Sequence, residues 1–193
     1  MGNVLAHIEL PPDVQFLTES APPGKQELEE VWNRFEQQQT LRGFSSTLDI
    51  VESSWDCHFD PKRLQQLREL LKKRWKLECQ RSCVNVLDIF ALAIALSRSS
   101  FTSKVALLFR AFDVAQERQL CKSSMERAAV AVACSLVRLH TSHKGRQLRS
   151  KHMAELIDRV TQAAKLFTEH CFREADVVRD FRLDLSEVVL LQF

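Results

Sequence analysis

The chain has 193 residues, a formal charge of +2 and ordinary apolar content, so it can bury a sizeable core and carries no global nucleic-acid signature. Glycine and proline are scarce, and every proline falls at or before Pro61, which argues against a turn-rich β fold and for helices. No apolar run approaches the roughly 18 residues of a membrane span, no signal-peptide core stands out, and six scattered cysteines suggest reduced thiols in a cytoplasmic chain.

Residues 1–24, with Pro11-Pro12 and Pro22-Pro23, read as a flexible arm. A first helix is predicted from Lys25 to Gln39, with Leu28, Val31, Trp32 and Phe35 on one face. The pattern breaks around Gly43, and a short helix is expected over Thr47 to Val51. After a turn at Asp56–Pro61, Arg63 to Lys76 is predicted helical with Leu64, Leu67, Leu71 and Trp75 inward. Asp88 to Ser97 is almost wholly apolar and must be deeply buried or cover a partner. A break at Ser97–Phe101 precedes a helix carrying Val105, Leu108, Phe109 and Phe112. A break at Asp113–Leu120 precedes one carrying Met125, Ala128, Ala129, Val132 and Leu136. Residues 140–152 read as a basic linker, and the last pair of helices is Met153 to Ala175 and Leu185 to Phe193.

Helix, break, helix therefore recurs, and the breaks fit a known frame. A twelve-residue calcium loop places oxygen ligands at positions 1, 3, 5, 7, 9 and 12 and Gly at 6. The apolar residue at position 8 pairs two loops through a small sheet. Three registers fit: Leu77–Asp88 with Val84 at position 8, Asp113–Ser124 with Leu120, and Asp176–Glu187 with Leu183. An earlier one is expected near Glu36–Leu48, with Phe44 in the position-8 role.

The stretch Val84–Met125 resembles the junction of the second and third hands of neuronal calcium sensors, potassium-channel-interacting proteins and calaxin. Lys104, Phe109, Phe112, Asp113, Leu120 and Met125 fall in register without a gap. The ending ADVVRDFRLDLSEVVLL resembles the last hand of calcium- and integrin-binding proteins. The resemblance implies an all-α, EF-hand-like fold with two lobes of paired helix-loop-helix units, over residues 25–98 and 99–193.

Departures from the pattern predict lost metal chemistry. Leu77, Cys79 and Arg81 hold ligand positions of the first register. In the second, Asp113 and Glu117 survive, but Ala115 removes a ligand, Arg118 replaces the glycine and Ser124 replaces the closing carboxylate. The third keeps Asp176, Asp180, Asp184 and Glu187, a weak calcium site at best. There Val178 removes one ligand, Arg179 and Arg182 weaken the negative field, and Phe181 is expected to resist the left-handed turn that glycine supplies.

Met1-Gly2-Asn3 opens like an N-myristoylation site, with Ala6 departing from the preferred Ser or Thr, so Gly2 is a candidate for lipidation. Lys72, Lys73, Arg74 and Lys76 around Trp75, and the run from His143 to His152, could add attraction to an anionic membrane surface; a solvated helix face and a polar linker are the simpler reading. Cys57-His58 with Cys79 and Cys83 lacks the C-x-x-C pair typical of zinc sites, and buried or incidental thiols are the simpler reading. No catalytic motif appears. The expected function is a non-catalytic adaptor or regulatory subunit that binds an amphipathic target helix. Its groove would be lined by Phe90, Ile94, Phe109, Phe112, Met125 and Leu136, unless these residues only hold the lobes together. It would need no cofactor, or weak calcium, and no nucleic acid. The alternatives are a calcium sensor using the last hand, and the regulatory N-terminal region of a larger enzyme present as a short form.

Overall fold

The computed structural model describes residues 23–38, 45–75, 83–113, 116–140, 150–176 and 179–190. These are mostly helical. In chain order they form α1 (Lys25–Gln38), β1 (Ser45–Thr47), α2 (Leu48–Trp55), α3 (Pro61–Trp75), β2 (Cys83–Asn85) and α4 (Val86–Leu96), then α5 (Phe101–Phe112), β3 (Gln119–Cys121), α6 (Lys122–His140), α7 (Ser150–Ala175), β4 (Arg182–Asp184) and α8 (Leu185–Leu190). A short strand thus sits between the helices of each successive pair. β1 pairs antiparallel with β2, and β3 with β4.

The apolar stripes explain the packing. Leu28, Val31, Trp32 and Phe35 all face inward from α1, and Trp32 meets Phe90 of α4 at 4.7 Å between ring centroids. α4 is buried on nearly every side, which accounts for its unbroken apolar sequence. Asn85 caps its start by accepting from the Leu87 amide. At its other end Lys104 reaches back from α5 and donates to the Ala95 carbonyl at 2.8 Å, giving a terminal carbonyl of α4 a cationic partner. Burial lowers the pKa of that ammonium.

One apolar cluster runs through both halves of the chain. It includes Trp32, Val51, Leu71 and Phe90 together with Phe112, Leu120, Met125, Cys171, Leu183 and Val188. α6 lies against both α4 and α7. Leu139 of α6 joins Leu70 of α3 and Leu92 of α4 in a second, smaller cluster, with Leu136 packed at its edge. No described helix is long and apolar enough to cross a membrane.

Several elements differ from expectation. α6 runs to His140 and α7 starts at Ser150, so helix enters both ends of the stretch 140–152 read as a linker. The short helix runs past Val51, its expected end, to Trp55, and Trp55 is itself a core residue, 5% exposed and stacked on Phe59 at 5.2 Å. The strand partner of Val84 is Ser46. Phe44, expected in that role, lies outside the described residues.

Candidate functional site

The segments after α5 and α7 are built alike, and the likeness starts from one aspartate in each. Asp113 ends α5, its amide bonded to the Phe109 carbonyl. Its two carboxylate oxygens accept from the Glu117 amide at 3.1 Å and the Arg118 amide at 2.6 Å. Asp176 follows α7 in the same way, and its oxygens accept from the Asp180 amide at 3.1 Å and the Phe181 amide at 3.0 Å. The backbone is left-handed at the equivalent residues of both loops: Gln116 and Arg118 in one, Arg179 and Phe181 in the other. β3 and β4 then join the loops, with Leu120 opposite Leu183.

Phe181 takes the left-handed turn, at φ 61, contrary to the expectation that it would resist. The Asp176 carboxylate holds its amide in place, and the ring points outward, 76% exposed, where it meets no packing constraint. A left-handed residue with a side chain costs about 1–2 kcal/mol, so the loop closure overrides a local preference.

All four candidate carboxylates of the last loop accept hydrogen bonds from the loop's own backbone. Asp176 takes two amides, and Asp180 takes that of Arg182 at 2.9 Å. Asp184 accepts from the Glu187 amide at 2.8 Å while Glu187 accepts from the Asp184 amide at 2.9 Å, a reciprocal capping box that starts α8. Glu187 would have to leave this arrangement to close a metal shell. The Arg182 guanidinium crosses to the other loop and pairs with Glu117, so a cation of the chain already faces that carboxylate. Val178 and Ala115 lie outside the described residues.

An arginine also meets a carboxylate of the predicted registers in the first half. Asp88, at position 12 of the first register, accepts from Arg138 of α6 at 3.1 Å, and its backbone carbonyl accepts from Ser135. Burial raises the Asp88 pKa, and Arg138 pulls the other way. Arg138 also lies 5.4 Å above the Trp75 ring, so α6 grips α3 and α4 with one side chain. Arg138 thus adds a basic side chain from α6 to the surroundings of Trp75. Lys72 pairs with Glu69. Gly2 and residues 141–149 of the basic run lie outside the described residues.

The six candidate groove residues are placed mostly in the core. Phe90, Ile94, Phe109, Phe112 and Met125 are each at most 9% exposed, and Leu136 is half-buried. Phe109 also contributes to the wall of an open cleft of about 890 Å³ between α1, α5 and α8. The cleft is lined by the nearly buried rings of Trp32 and Phe35, by Leu185, and by the charged residues Glu36, Arg110 and Arg118.

Two thiols differ sharply. Cys121, exposed at the end of β3 just before α6, lies 3.1 Å from the Ser123 hydroxyl and its thiol donates to that of Ser124; these contacts bring its pKa down to about 7. Cys171 is fully buried, and burial pushes its thiol up to about 11. The neighbouring His170 faces Arg173 instead, at 2.8 Å. Comparison with known proteins adds no relative: no family model matches the chain, and no curated protein does.

Proposed function

We propose that the chain is a non-catalytic EF-hand-like adaptor or regulatory subunit that binds an amphipathic target helix, with calcium binding weak or lost. Its helices would form two lobes of paired helix-loop-helix units, over residues 25–98 and 99–193. The observation that carries this reading is the pair of like-built loops joined at Leu120 and Leu183, with their carboxylates already engaged by backbone amides and by Arg182. A loop that satisfies its own aspartates keeps the shape of a calcium loop without the ion.

The open cleft between α1, α5 and α8, with both apolar and charged residues in its lining, is where an amphipathic target helix would dock. Phe90, Ile94, Phe112 and Met125 are buried and would reach a target only if the helices around them parted. Acylation of Gly2 and attraction to an anionic membrane would add a location to the same function. Titration calorimetry tests the calcium half. At most one site is expected, at roughly 10⁻⁴–10⁻³ M, removed by Glu187→Gln. A micromolar site that survives Glu187→Gln would overturn the loop register and the reading built on it.

A further inference from the structure

The loop between α2 and α3 holds a cluster that the calcium-type loops do not explain. Glu30 projects from α1 toward Cys57 and His58, which follow α2. One ligand atom from each of the three lies within 4.8 Å of the others. The turn that carries the cysteine and histidine is fixed. The amides of His58 and Phe59 both donate to the Trp55 carbonyl at 3.0 Å, and Phe59 stacks on Trp55.

The polar contacts around the cluster are specific. Glu30 Oε1 takes the Arg34 guanidinium at 3.2 Å, and the same arginine holds Asp56 at 2.7 Å. That leaves Glu30 Oε2 facing His58 Nε2 at 3.8 Å, too far for a hydrogen bond. His58 Nε2 is buried from solvent and has no hydrogen-bond partner. A buried ring nitrogen with nothing to bond is unusual and calls for a ligand. The Cys57 thiol reaches only the Ser54 carbonyl, at 3.7 Å.

We propose that Glu30, Cys57 and His58 form a binding site for a borderline-soft divalent transition metal, zinc before others, tying α1 to the turn between α2 and α3. Thiolate, imidazole and carboxylate are the three ligand types zinc takes, and a tetrahedral shell sets donor atoms about 3.5 Å apart. The present spacing, within 4.8 Å, is wider than that and would have to tighten on binding. Glu30 is half exposed, which leaves the fourth position to water. Calcium does not suit a site with sulfur and nitrogen donors. On binding, the thiol gives up its proton to solvent and the sulfur bonds the metal. This site is separate from the loops after α5 and α7, so its fate is independent of the calcium titration.

Cobalt(II) titration of the full, reduced chain reads the proposal directly, because a thiolate ligand gives a near-ultraviolet charge-transfer band. The band is expected in the wild-type chain, bleached by zinc, retained in Cys121→Ser and absent in Cys57→Ser. Glu30→Gln, on an exposed position of α1, is expected to keep the helical circular dichroism and weaken cobalt binding about tenfold or more. No band in the folded wild-type chain would overturn the site. So would a band that persists in Cys57→Ser, or an affinity unchanged by Glu30→Gln.

Discussion

Leu120 and Leu183 are direct partners across the β3–β4 ribbon, and neither exposes more than 1% of its surface. Each strand has only three residues, so few ladder bonds hold the ribbon and this side-chain pair is its main fastening. Leu183→Ala is expected to lower stability by about 2–5 kcal/mol in urea denaturation, since a loop pinned on both sides collapses poorly around a cavity. The double variant with Leu120→Ala is expected to lose less than the sum, because the two share one contact. Strict additivity would show that the leucines anchor their loops independently.

Phe181 offers the opposite test. Its backbone is left-handed and its ring is mostly in water, so glycine there relieves strain and removes little packing. Phe181→Gly is expected to raise stability by up to about 1 kcal/mol, read as a higher urea midpoint with an unchanged slope. A destabilised variant would mean that the exposed ring makes a contact worth more than the strain.

Cys121 is expected to be the fast-reacting thiol among the four described free cysteines. With a pKa of about 7 it is more than half thiolate at pH 7.5, and the thiolate is the nucleophile. Peptide mass spectrometry after brief iodoacetamide treatment is expected to find Cys121 labelled first, with a rate that reaches half its maximum near pH 7. Replacing Ser123 and Ser124 by alanine removes the donors that stabilise the thiolate, so the midpoint is expected to move to higher pH. Equal labelling of buried Cys171, whose thiol is pushed up to about 11, would contradict the packing around α7.

The helices were legible in the sequence because they carry periodic apolar stripes. Leu28, Val31, Trp32 and Phe35 are buried as their spacing predicts, and Leu120 and Leu183, picked out of the breaks as apolar residues, are buried and paired. Ser46 as the partner of Val84 was not legible, since a three-residue strand of polar residues carries no periodic signal and its register is set by a distant strand. The arginine pairs escaped for a related reason. Arg138 meets Asp88 and Arg182 meets Glu117 only after the helices pack, while the sequence shows just a scatter of charge. Glu30 gave no sign of belonging with Cys57 and His58, because the stripe that turns α1 toward the core says nothing about its polar edge.

Amide hydrogen exchange at Arg118, Phe181 and Glu187, followed by NMR, is the most direct test of loops that hold their shape without metal. Their amides bond to Asp113, Asp176 and Asp184. In chelator all three are expected to be protected, and calcium up to about 10⁻⁵ M, within the range that sensor hands answer, is expected to leave their shifts and exchange rates unchanged. Loss of protection in chelator, or movement of the Asp184 and Glu187 amides at that calcium level, would show instead that the ion completes the fold of these loops.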